Sequence, residues 1–182
     1  MFKSLSTRAR AALVAFAATS ALAAPALAAD PSAKLITGIN HVGVNVPDAD
    51  AAAALFADLF GMHVLSTMAP GAIPAPWKQA FNWHPDSEID KIVMLGGPGN
   101  SMVELFQYSG PQISRQQPHE DDAAATHIAF TSQDLDKTLA VVRTRGLKVL
   151  ADPVQNPDGT RWVYFLTPWG SQVEIVQAPK AR

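Results

Sequence analysis

Alternation of apolar with small or polar side chains marks several short stretches of this chain, and two of them lead into runs with helical spacing. Residues 39–46 are rich in β-branched residues, at every second place from Val42, and stop at Pro47, which predicts a strand. Its two faces differ: Val42, Val44 and Val46 share one, His41, Gly43 and Asn45 the other. Asp48 or Asp50 can cap a helix over residues 51–60, and Gly61 stands where that helix should stop. Strands are expected at 62–68, 91–95 and 101–108. The second run predicts a strand at 127–131, a cap at Asp134, a helix over 135–145, a stop at Gly146 and strands at 148–151, 162–166 and 172–177. Gly96-Gly97-Pro98-Gly99-Asn100 and Pro157-Asp158-Gly159 read as turns.

The two runs are copies of one pattern. Asn40-His41-Val42-Gly43-Val44 aligns with Thr126-His127-Ile128-Ala129-Phe130 at an offset of 86 residues, and Asp50 falls on Asp136. Gly61-Met62-His63-Val64-Leu65 aligns with Gly146-Leu147-Lys148-Val149-Leu150 at offset 85. Ser101-Met102-Val103-Glu104-Leu105 aligns with Ser171-Gln172-Val173-Glu174-Ile175 at offset 70. The fall in offset puts about fifteen extra residues in the first copy, at 70–88. That insert holds Pro70, Pro74, Pro76 and Pro85 with Trp77, Phe81 and Trp83, and is expected to form a lid or the wall of a pocket. The organisation is therefore module one at 35–108, a linker at 109–123 and module two at 124–179.

Composition narrows the chemistry. At 182 residues and 48% hydrophobic the chain is not disordered. It has no cysteine, which excludes disulfides, thiolate metal sites and a cysteine nucleophile. The net charge of −2 gives no support to nucleic-acid binding. Lys3, Arg8 and Arg10, an uncharged run over 11–22 and Ala26-Leu27-Ala28 have the pattern of a secretory leader over 1–28. Its removal takes three basic residues and no acid, lowering the charge to −5. The expectation is an exported, periplasmic domain with no membrane association after cleavage.

Against that background four residues stand out. His41 and His127 open equivalent strands on the less bulky face, and Glu104 and Glu174 interrupt equivalent apolar strands. A buried lone carboxylate is costly, so each glutamate needs a cation or a donor. Packing the two copies about a pseudo-twofold axis would gather two imidazoles and two carboxylates. That set balances one divalent ion, Zn, Ni, Co, Mn or Fe.

On these residues the chain resembles the vicinal oxygen chelate superfamily, the glyoxalase/bleomycin-resistance/extradiol dioxygenase group. The resemblance covers residues 35–179 and includes the closing hairpin that ends at Glu174, where Pro168-Trp169-Gly170 stands in place of the usual Pro-Asp-Gly. It implies an α+β fold in which two βαβββ modules pair into a cup-shaped mixed sheet. It also implies His41, Glu104, His127 and Glu174 as metal ligands, in an order like that of glyoxalase I and close to methylmalonyl-CoA epimerase. The implied reaction is a metal-dependent lyase, isomerase or epimerase step on a small substrate with vicinal oxygens, through a metal-stabilised enediolate, with Glu174 or Glu104 moving the proton. Two alternatives stay open: a non-haem Fe(II) ring-cleaving dioxygenase using His41, His127 and Glu174, and a metal-free binding or resistance protein. Asn45, Thr131, Trp77, Trp83, Phe106 and Trp169 are expected to contact the substrate. His84 is a candidate outer acid or base, whereas His63 and His119 read as surface residues. Lys34, Lys78 and Arg161 are candidate anion contacts. The modules can pair within one chain or across a homodimer.

Overall fold

A computed structural model describes residues 35–179. The leader expected over 1–28, and Lys34, lie outside them. Residues 39–179 belong to one compact unit, and the last residues before it form part of another. Among the described residues no helix is long and apolar enough to cross a membrane.

The repeat is realised as two four-stranded sheets. Module one runs β1 (Val42–Asn45), α1 (Ala49–Phe60), β2 (His63–Met68), α2 (Ala75–Ala80), β3 (Glu88–Gly96) and β4 (Met102–Ser109). Module two runs β5 (Ile128–Thr131), α3 (Leu135–Thr144), β6 (Val154–Gln155), β7 (Arg161–Leu166) and β8 (Gln172–Gln177). The sheet orders are β1-β4-β3-β2 and β5-β8-β7-β6, so the first strand of each module lies beside its last. These pairs are parallel, with Gly43 opposite Glu104 and Ala129 opposite Glu174. This is the two-module α+β fold expected.

Both crossover helices start in the same way. Asp48 accepts from the amides of Asp50 and Ala51 at 3.0 and 2.9 Å, and Asp134 accepts from that of Lys137 at 3.1 Å. Such a cap contributes about 1 kcal/mol. A glutamine at the end of each last strand reaches back to the same helix start. Gln107 Oε1 accepts from Ala49 N at 3.0 Å, and Gln177 Oε1 accepts from Leu135 N at 2.7 Å. Asp50 pairs with Lys91 and Asp136 with Arg161, again in matching places. Gly61 ends α1 at a φ of 63°, a left-handed geometry that favours glycine.

Each helix buries one stripe against its own sheet. Ala49, Ala52, Ala53 and Phe56 cover Val93, Leu95, Val103 and Leu105, whereas Leu135, Leu139 and Val142 cover Val163, Phe165, Val173 and Ile175. Full burial of one large aliphatic or aromatic side chain is worth about 1.5–3 kcal/mol. The two cores meet at Phe60, stacked on Phe130 with ring centroids 3.7 Å apart and planes 2° from parallel. Arg145 also reaches Asp58 at 2.6 Å, tying the end of α3 to α1.

Three expectations need correction. The strand expected at 39–46 forms only over Val42–Asn45. The strand expected at 148–151 is reduced to a bridge between Val149 and Phe165, flanked by bonds from Leu150 N to Tyr164 O and from Leu166 N to Lys148 O. Pro153 has no amide hydrogen to extend that ladder, and pairing resumes at Val154–Gln155. Lys78 and Arg161 are not free anion contacts. Lys78 is buried on Glu88 at 2.5 Å, and Arg161 grips Asp136 with two bonds of 2.9 and 2.8 Å.

Candidate metal centre

Strand alternation places the core residues of β4 and β8 on the helix side and Glu104 and Glu174 on the opposite face. Their side chains are only 20% and 16% exposed, well short of ordinary surface glutamates. Parallel pairing brings the histidine just before the neighbouring strand alongside each. His41 Nε2 lies 3.0 Å from Glu104 Oε2, and His127 Nε2 lies 3.4 Å from Glu174 Oε2.

In both copies the other ring nitrogen is already committed. His41 Nδ1 is 2.8 Å from Asn40 Oδ1, and His127 Nδ1 is 2.7 Å from Glu120 Oε1. Those oxygens accept from an Nδ1–H, and each ring is thereby oriented with Nε2 toward the carboxylate. Two acceptor atoms about 3 Å apart are held together by a proton or a cation between them. Metal–N and metal–O bonds of about 2.1 Å make adjacent ligand atoms about 3.0–3.4 Å apart. The donor chemistry and spacing therefore fit a divalent ion at either pair. An outer acceptor on Nδ1 is the usual companion of a metal-bound imidazole.

The four residues come together two by two. Among the described residues no three or more His, Asp or Glu side chains are arranged around one ion position. Each pair thus contains two of the four donors expected from the sequence.

Aromatic groups extend the first half-site along the sheet. Phe106 and Tyr108 stack with centroids 5.8 Å apart, and Trp83 meets Tyr108 edge-on at 5.4 Å. Gly43 leaves the floor low, since a Cβ there would lie 3.5 Å from the Phe106 ring. In the second half-site Tyr164 lies edge-on to His127 at 5.1 Å, its hydroxyl 3.5 Å from Nε2. Burial, and then the Glu104 charge, hold the Tyr108 phenol above the usual tyrosine range. Burial, followed by the Glu174 and Glu120 charges, does the same at Tyr164. Both phenols stay protonated donors at neutral pH.

The remaining candidates are spread out. Asn45 and Trp169 line a common cavity. Trp169 is half-buried against the module-one core, and Thr131 is exposed on β5. Trp77 and Phe81 of the insert pack on each other and remain 57% and 58% exposed, so Trp83 alone of the insert's aromatics reaches the site strands. His84, His63 and His119 are exposed. Sequence reasoning missed Asn40, Glu120, Tyr108 and Tyr164. Asn40 was visible as the neighbour of His41. Glu120 was hidden in a linker that has no counterpart in the repeat.

Two modules, each pairing a histidine just before its first strand with a glutamate on its last, define a protein of the paired-module α+β class. The chain matches the Glyoxalase/Bleomycin resistance protein/Dioxygenase superfamily over residues 38–175, and it belongs to that family. It is 34% identical over 146 residues to a 2-epi-5-epi-valiolone epimerase from an Actinomyces species, covering 78% of this chain and 79% of that one. This likeness supports an epimerase- or isomerase-like enzyme. A glyoxalase family protein from Bacillus cereus superposes with a TM-score of 0.64 at 15% identity, over 79% of this chain and 95% of its own. A fosfomycin resistance protein, FosX, from Listeria monocytogenes has a TM-score of 0.55 at 16% identity, over 80% and 96%. That protein has also been crystallised with Mn(II) and a sulfate ion, a form with a TM-score of 0.53 at 15% identity, over 80% and 95%.

Proposed function

We propose that the protein is a divalent-metal-dependent isomerase of the epimerase type, acting on a small substrate with vicinal oxygens, such as a hydroxyketone of a polyol ring. The observation that carries this is the twofold recurrence of a histidine with its Nδ1 committed and its Nε2 facing a largely buried glutamate. Likeness to an epimerase supports the reaction type, and the Mn(II) form of FosX supports an ion in this fold.

His41, Glu104, His127 and Glu174 would hold the ion. When bound, it would supply Lewis acidity at the substrate oxygens. The chain's own part is proton movement. One glutamate takes the proton from the carbon beside the carbonyl, and the electron pair moves onto the carbonyl oxygen. The other glutamate returns a proton to the opposite face of that carbon, inverting it. Tyr108 and Tyr164, both neutral, donate hydrogen bonds to oxygens near the half-sites, and Phe106 and Trp83 keep the approach dry.

Each half-site holds two donors, so a complete centre needs both halves. A homodimer in which a second copy supplies the complementary pair meets that need. The export expected from the leader pattern would place the enzyme in the periplasm.

The test is solvent exchange. Purified protein with a stoichiometric divalent ion, given 2-epi-5-epi-valiolone in D2O, should wash deuterium into one carbon and form an epimer, both seen by NMR. Oxygen uptake with Fe(II) and a catechol would favour ring cleavage instead. Ligand binding without metal or exchange would favour a binding protein.

A further inference from the structure

A cavity of about 310 Å3 opens where β1 and β4 end, walled by Asn45, Tyr108, Ser114, Arg115, Gln117 and Trp169. Its volume is at the lower end of small-molecule sites. Three observations set its chemistry. First, no carboxylate lines it among the described residues, and Arg115 has no carboxylate partner there. A second cavity, of about 680 Å3 beside α3, differs on both counts: Asp134, Asp136 and Asp158 line it, and its Arg161 is held by Asp136. Second, the Trp169 ring forms part of the wall, with its indole N–H buried beneath the cavity surface and unpartnered, so no acceptor group of the protein competes there for a ligand's place. Third, the other polar walls, Asn45, Tyr108, Ser114 and Gln117, all carry donors.

We propose that this cavity is an oxyanion subsite that takes a phosphate or carboxylate group. Arg115 supplies the charge and planar fork, and Asn45, Ser114 and Gln117 supply neutral donors. Asn45 is four residues along β1 from His41, so the subsite lies about 13 Å from the first half-site. The aromatic pair Phe106 and Tyr108 fills the interval on β4. The substrate class this implies is an extended polyol or keto acid with an acidic group remote from the reacting carbon. That extension rests on the isomerase reading; the anion site does not.

The experiment is calorimetric titration of the full chain with inorganic phosphate, 6-phosphogluconate, gluconate and neutral glucitol. Saturable binding of the anions but not of glucitol is expected. Gluconate matching 6-phosphogluconate would identify a carboxylate subsite, and a marked preference for the phosphate esters a phosphate one. Arg115→Ala should weaken anion binding about tenfold or more, and Arg115→Lys less. Arg115 is exposed in an irregular segment, so its replacement should leave the fold intact. Glu104→Gln should leave phosphate affinity unchanged. Equal binding by wild type and Arg115→Ala, or phosphate binding lost with Glu104→Gln alone, would overturn the subsite. Intact phosphate binding without deuterium exchange would sink only the isomerase reading.

Discussion

Glu120 Oε1 sits 2.7 Å from His127 Nδ1, so a residue of the linker sets which nitrogen of a module-two histidine faces Glu174. Asn40 performs the equivalent task for His41 from within the strand's own approach. The two half-sites thus share a geometry but take their outer acceptors from different places.

Removing that acceptor should loosen the centre without unfolding the domain. Glu120→Ala is expected to lower metal affinity or turnover about 10- to 100-fold. Glu120→Gln should cost less, because its amide oxygen still accepts. Both side chains are about a third exposed, so the melting temperature should barely move. Metal titration of the two variants beside wild type checks this, and equal affinities would show that Glu120 has no orienting role.

The two-module plan was legible because the markers that set it are local and occur twice: Asp48 and Asp134 at the helix caps, Gly61 and Gly146 at the stops, Glu104 and Glu174 inside apolar strands. The partners of those residues were less visible. Gln107 and Gln177 cap helices 58 and 42 residues away, and no local pattern marks a glutamine for that task. Glu120 and Arg115 sit in a linker whose polar composition reads as a spacer. The strand expected at 148–151 failed for another reason. Its apolar residues do approach β7, but the ladder is broken before Pro153 and resumes only at Val154.

Phe60 is the joint between the modules. It stacks on Phe130 at 3.7 Å and also lies 5.4 Å from Phe56 and 6.5 Å from Phe165. Phe60→Ala removes ring contacts to both cores at once. A loss of about 2–4 kcal/mol is expected in denaturant unfolding, with Phe60→Leu recovering part of it. A loss below about 1 kcal/mol would mean that the modules are held together elsewhere.

Acid should release the insert. Glu88 accepts from Lys78 Nζ at 2.5 Å and from Ile73 N at 2.9 Å. The Lys78 bond, and then the Ile73 amide, hold its carboxyl below the usual glutamate range. A depressed carboxylate contributes its stabilisation in full above its unfolded value and loses it as the pH falls through the folded one. The Ile73 amide resonance should therefore titrate with a midpoint below that of an ordinary glutamate, and Glu88→Gln should flatten the curve. A midpoint at or above the ordinary value would contradict the arrangement.

Space above the sheet at Gly43 should matter more to ligand than to fold. A Cβ there meets only the Phe106 ring, at an ordinary 3.5 Å. Gly43→Ala is expected to change stability by no more than about 1 kcal/mol. Gly43→Leu would project its branch between the His41–Glu104 pair and Tyr108, on the path proposed for substrate. It should fold and bind metal while turnover falls at least tenfold, as far as transition-state contacts are displaced. Full turnover by the leucine variant would place the substrate elsewhere.

The sharpest prediction concerns how the half-sites combine. If each centre takes His41 and Glu104 from one protomer and His127 and Glu174 from another, Glu104→Gln and Glu174→Gln should each abolish exchange alone. Mixed after partial unfolding, half of the dimers would hold one protomer of each kind. In such a dimer one centre carries both substitutions and the other carries neither. About a quarter of wild-type activity should then return. Pairing of the modules within each chain would leave one glutamate missing from every centre, and the mixture would stay inactive. Size-exclusion chromatography of the same samples separates this outcome from a failure to re-form the dimer.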